Sequence, residues 1–142
     1  MAKMIDFGYS RPGSREDDIV CLSRSWPWYA PELDYECRFK LRDAMKTDIY
    51  SFGMVSLYIL FHDHFMGSSA GHSERKGDSE LMISQWKNLE DKFVSKVGEV
   101  LRETIGISEA LKISLWAFFQ STLPFDAESR NTDFKTLITY LS

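Results

Sequence analysis

Hydroxyls and guanidinium groups share one stretch near the start of the chain. Tyr9, Ser10, Ser14, Ser23, Ser25 and Tyr29 are interleaved there with Arg11, Arg15 and Arg24. A phosphate added to any of these hydroxyls would carry charge that a nearby guanidinium can bind, and the stretch would be ordered by it. A second group of chemically able side chains is His62, His64 and His72, whose His-x-His pair invites a zinc reading. Neither Cys21 nor Cys37 is close to them in sequence, and no ordered spacing supplies three or four ligands, so a solvated loop is expected instead. Three short strings complete the inventory: Asp6-Phe7-Gly8, Ala30-Pro31-Glu32, and Asp48-Ile49-Tyr50-Ser51-Phe52-Gly53.

The elements that must position these groups follow from hydrophobic spacing. Residues 2–5 are mostly apolar and run into Asp6-Phe7-Gly8, which predicts a short buried strand ending at a glycine-permitted turn. Residues 9–35 keep no period of 2 or 3.6 and are punctuated by Pro12, Gly13, Pro27 and Pro31, predicting a long irregular segment. Over residues 47–61 the apolar side chains leave no polar stripe, and Thr47 is placed to cap a helix buried all round. That run falls short of the roughly 20 residues a membrane span needs and is flanked by charge. Residues 62–80, rich in Gly, Ser and charge, are expected to form an exposed loop.

Further on, Met82, Trp86, Leu89, Phe93, Val97 and Val100 recur at steps of three and four, predicting one amphipathic helix that is weakened or broken at Gly98. Lys87, Glu90, Asp91, Lys96 and Glu99 would form its solvated face. Gly106 ends that helix, and Ser108 caps another whose buried side is Leu111, Leu115, Phe118 and Phe119, with Pro124 marking its stop. Phe134, Leu137, Ile138 and Leu141 again follow helical spacing. The fold class expected is therefore mainly α.

Composition narrows the functions. With 17 Lys and Arg against 21 Asp and Glu, the net charge of −4 offers no basic footprint for a nucleic acid or an anionic membrane. A protein partner or substrate is left as the expected class. Two cysteines are too few for a disulfide framework, and the first residues do not form a signal peptide, so a cytoplasmic or nuclear setting is expected. At 44% apolar residues, the 142-residue chain can build a sizeable core as one domain or part of one.

Each of the three strings is weak alone, but their order and separation resemble the protein kinase family. There D-F-G and A-P-E bracket the activation segment, and a buried helix opening D-x-W-S-F-G follows. The resemblance covers nearly the whole chain, fading in the middle and returning near the end, and it implies a kinase-like C-terminal lobe over residues 1–142. Residues 1–5 would be the strand before D-F-G, residues 6–32 the activation segment, and residues 33–142 the helical lobe. By the same resemblance, Asp6 would hold Mg²⁺ on ATP, Phe7 would set the active or inactive state, and Gly8 would supply the freedom to switch. Glu32 would pair with Arg130, clamping two distant segments. Asp48, at the start of its helix, would accept backbone N–H groups, and the matching family residue tethers the catalytic loop. Ser25 matches a Ser/Thr-kinase threonine, whereas Trp28 matches a tryptophan more usual in tyrosine kinases and their Ser/Thr-specific relatives. Transfer to Ser or Thr, less so Tyr, is thus what the resemblance implies. Ser10, Ser14, Ser23, Ser25 and Tyr29 are the candidate phosphorylation sites.

The departures from the family pattern all fall on one side. The eight glycines form no G-x-G-x-x-G, no histidine begins an H-R-D, and no strand lysine can be found. In the family these elements precede D-F-G, so one truncation would account for every loss, through an internal methionine read as a start or a shortened gene copy. A chain of this kind is expected to bind no cofactor by itself and to be inactive. A noncatalytic kinase-like interaction module and a truncated gene product without activity are the alternatives. The apolar helix of residues 47–61, without its catalytic-loop neighbours, is expected to expose apolar surface and favour association.

Overall fold

The computed structural model describes residues 15–62 and 78–141. The strand expected over residues 2–5 lies outside them, as do Asp6, Phe7, Gly8, Ser10, Ser14, His64 and His72. Among the described residues the chain is mainly helical, with a two-stranded antiparallel sheet. No helix among them is long and apolar enough to cross a membrane.

The sheet falls inside and just after the stretch expected to be irregular. β1 (Ile19–Cys21) pairs with β2 (Arg38–Lys40), Val20 facing Phe39, and Val20 is buried. A 3-10 turn at Pro31–Asp34 lies between them. Three-residue strands are too short to show a period of two, which is why hydrophobic alternation does not announce them.

This sheet decides where the long helix begins. α1 runs over Leu41–Leu60, and its N-cap, Lys40, comes seven residues before Thr47. The N-cap position is Lys40, which offers no side-chain cap, but the amides of Leu41 and Arg42 donate to the carbonyls of Asp18 and Glu16 at 2.8 and 3.2 Å. Backbone from the β1 side therefore satisfies two donors that a helix start ordinarily leaves to a side chain. Thr47 is inside the helix, its Oγ1 donating to the Ala44 carbonyl at 2.7 Å, so its expected capping role is corrected.

The core forms where α1 meets α4 (Glu109–Thr122). Tyr50, Met54 and Leu57 of α1 are buried with Phe118 and Phe119 of α4. Phe52 meets Phe118 edge-on at 5.5 Å, and Phe61 lies 6.2 Å from Phe119. Gly53 allows the two helices to approach closely, because a Cβ there would stand 2.5 Å from Thr122 Oγ1 and 2.8 Å from a Leu123 methyl. The helix is not buried all round, however: Val55, Ile59 and Leu60 are exposed, Ile59 by 67%.

The amphipathic helix expected over residues 82–100 is two helices, α2 (Asp78–Lys87) and α3 (Lys92–Glu103). Most of the loop expected over residues 62–80 lies outside the described residues, and its last three positions, from Asp78, are already helix. Between α2 and α3, Leu89 and Glu90 donate back to Trp86 and Lys87, and Glu90 takes φ 51°. Gly98 does not break α3, which buries Phe93, Val97, Val100 and Leu101 on one face. Ser108 caps α4 as expected, accepting from the Leu111 amide at 3.2 Å, although Leu111 itself is exposed. α5 (Phe134–Thr139) is capped by Asp133 and buries Leu137, while Phe134, Ile138 and Leu141 are largely exposed.

Candidate functional site

Arg130 follows a 3-10 turn at Ala127–Ser129 and reaches inward until its side chain is fully buried, 0% exposed. Its guanidinium has five N–H donors, and five acceptors surround it. Nη1 donates to Glu32 Oε1 at 2.6 Å and to the Lys46 carbonyl at 3.1 Å; Nη2 donates to Glu32 Oε2 at 2.9 Å and the Phe125 carbonyl at 3.0 Å; Nε donates to the Pro124 carbonyl at 2.9 Å. The group also lies 4.7 Å from the centre of the buried Tyr50 ring. Fork-to-fork pairing with a carboxylate fixes orientation as well as charge, so this one side chain joins the Pro31–Asp34 turn, α1 and the segment after α4. Lys46 adds a bond to Glu128 at 2.6 Å across the same junction.

Asp48 is placed differently from expectation. It sits in the second turn of α1, well past the helix N-terminus, so neither capping nor the helix dipole acts on it there. None of its carboxylate oxygens has a hydrogen-bond donor among the described residues, and crowding by the chain pushes its carboxyl above the usual carboxylate range through desolvation. It borders a cleft of about 260 Å³ together with Ser23, Ser25, Trp28, Tyr29 and Ser51. Three of the five candidate phosphorylation sites and Asp48 thus share one concave surface. Trp28 forms a wall and is held edge-on to Tyr58 at 5.1 Å.

Tyr29 is engaged on three sides. Its hydroxyl donates to Asp34 Oδ1 at 2.7 Å, and that bond, with burial, raises its pKa. Lys87 donates to the Tyr29 carbonyl at 2.7 Å and stands over the ring, 3.8 Å from its centre. Arg24, one of the guanidinium groups expected to meet a phosphate, donates to the Asp34 carbonyl at 3.2 Å. Lys87 is itself a correction, because helical spacing puts it on a solvated face. It is instead half-buried, and desolvation lowers its pKa to about 8 against the opposing pull of Asp34 and Glu32. The break between α2 and α3 shifts the helical phase at this point, and no Gly or Pro marks the break.

Among the described residues no three His, Cys, Asp or Glu side chains gather where a metal could be held. His62 packs edge-on to Tyr58 at 5.1 Å. Asp6, the residue to which the family resemblance gives a Mg²⁺ role, lies outside the described residues. Compared with known proteins, the chain matches no family model, no curated protein and no solved structure.

Proposed function

We propose that these residues form a kinase-like C-terminal lobe, the half of an ATP-dependent protein kinase architecture that begins at D-F-G, and that the 142 residues alone do not transfer phosphate. The observation that carries this reading is the bidentate pair between Glu32 of Ala30-Pro31-Glu32 and Arg130, 98 residues apart, where the family has its own glutamate–arginine clamp. The long helix carrying Asp48-Ile49-Tyr50-Ser51-Phe52-Gly53 supports it, packed at the centre of the core. In the complete architecture the γ-phosphoryl of Mg·ATP passes to a Ser or Thr hydroxyl of a protein, with the metal neutralising phosphate charge. Asp6 is the residue of this chain that would hold that metal.

Phosphoryl transfer is mostly positioning and charge stabilisation, and the Gly-rich loop, strand lysine and H-R-D that supply them do not occur in these 142 residues. One carboxylate does not retain Mg·ATP. The thermal midpoint of the purified chain is expected to be unchanged by Mg·ATP. Stabilisation by nucleotide that disappears in Asp6→Ala would contradict the inactive assignment. A second reading, a noncatalytic module that binds a protein partner, is favoured by the exposed apolar side chains of Val55, Ile59 and Leu60 along α1.

A further inference from the structure

α3 and α4 form a helical hairpin closed by residues 104–108, where Gly106 takes φ 91°. Ser95, Gly98 and Arg102 of α3 and Glu109, Ile113 and Trp116 of α4, spaced by three or four residues on each helix, line a cleft of about 430 Å³. Gly98 is the residue of α3 on which the Trp116 ring lies. A Cβ on it would come within 2.9 Å of the Trp116 indole, so the ring lies directly against the α3 backbone and no side chain from that position fills the cleft. Leu101, Ile113 and Trp116 make the lining apolar, and Ile113 remains 69% exposed.

The lining carries the charges of Arg102 and Lys112 against that of Glu109. Lys112 is paired with Glu109 at 3.0 Å and also donates to the Arg102 carbonyl at 3.3 Å. Glu99, on the neighbouring turn, is bonded by Lys96 at 2.8 Å and also feels the charge of Arg102, without a hydrogen bond to it. Arg102 spends only its Nε, on the Gly98 carbonyl at 3.3 Å, and its terminal nitrogens have no hydrogen-bond partner among the described residues. The planar donor fork of Arg102 thus stands open to hydrogen bonding at the edge of an apolar cleft. Its volume falls in the range of about 300–1,000 Å³ usual for small-molecule sites, which pair apolar walls with a few polar groups that fix orientation.

We propose that this cleft binds a small aromatic carboxylate, its ring against Trp116 and Ile113 and its carboxylate on the Arg102 guanidinium. A guanidinium matches a carboxylate in two parallel hydrogen bonds, whereas a neutral ligand of the same shape leaves the fork unused. The site is separate from the Asp48 cleft and stands whether or not the chain is kinase-like.

The test titrates the full chain with 2-naphthoate and with uncharged 2-naphthalenemethanol, followed by NMR shifts, each variant being checked for folding by circular dichroism. Saturable one-to-one binding of naphthoate is expected, weakened about tenfold by Arg102→Gln through loss of a charge-assisted bond. Binding of the alcohol should be indifferent to that substitution. Ile113→Asp, at an exposed position, should abolish naphthoate binding, and Ile59→Ser on α1 should leave it intact. Absence of saturation, equal affinity for acid and alcohol, insensitivity to Arg102→Gln, or loss of binding in Ile59→Ser would each overturn the proposal.

Discussion

Arg130 uses all five of its donors on Glu32 and three carbonyls, so removing it leaves a mostly buried carboxylate and three carbonyls without their donor. Arg130→Ala is expected to cost about 3–5 kcal/mol in urea unfolding, in line with a broken buried pair. Glu32→Ala should cost less, since the Glu32 side chain is 21% exposed and the guanidinium keeps its carbonyl acceptors. The double variant should fall short of the sum of the two. Asp48 acts in the opposite sense. Its folded-state pKa is raised by desolvation, so the folded protein holds a proton that the unfolded chain releases, and stability falls as pH rises through that interval. Asp48→Asn is therefore expected to be more stable than the parent at pH 7 and to match it once pH drops below the usual carboxylate range. Lys87 gives a third signature. With its pKa lowered to about 8 from an ordinary 10.5, the unfolded chain binds the extra proton between those values, so stability should climb with pH there. Thermal midpoints of Lys87→Met across the same range should lack that climb.

Helices in this chain are placed by contacts that local sequence only partly announces. Gly53 lies inside α1, where alanine ordinarily adds about 1 kcal/mol to a helix. Here the added Cβ meets Thr122 and Leu123 at 2.8 Å or less, so Gly53→Ala is expected to destabilise by about 1–3 kcal/mol, the cost of overpacking, as read from the denaturation midpoint. The α4 side of the α1–α4 contact was legible, because Leu115, Phe118 and Phe119 follow helical spacing and Ser108 supplies a local cap. The α1 side was not, because a helix apolar all round does not announce that Tyr50, Met54 and Leu57 are the side chains buried there. The start of α1 was not, since Asp18 and Glu16, more than twenty residues away, supply the acceptors for its first amides. The break near Glu90 was hidden for a related reason: a glutamate holds the left-handed turn that a glycine would have signalled. At the candidate site, the partnership of Glu32 with Arg130 was reachable only through motif order, and the burial of Lys87 followed from the shifted phase of α2. The cleft between α3 and α4 left a single sequence trace, a glycine within an amphipathic helix.

At the scale of the whole molecule, a core packed around α1 and α4 coexists with apolar side chains that nothing among the described residues covers, Val55, Ile59 and Leu60 among them. Such a patch favours association, so light scattering of the purified chain should report a mass that rises with concentration, and Ile59→Ser should reduce that rise without lowering the thermal midpoint. The same patch fits a lobe built to be covered by further chain, which is the central claim. The most direct measurement of that claim is the nucleotide sequence immediately upstream of the codon for Met1, in genome and transcript. The account predicts that it encodes, in frame or as an interrupted copy, an H-R-D string shortly before Asp6 and a strand lysine further up. An upstream sequence encoding neither in any frame would contradict it.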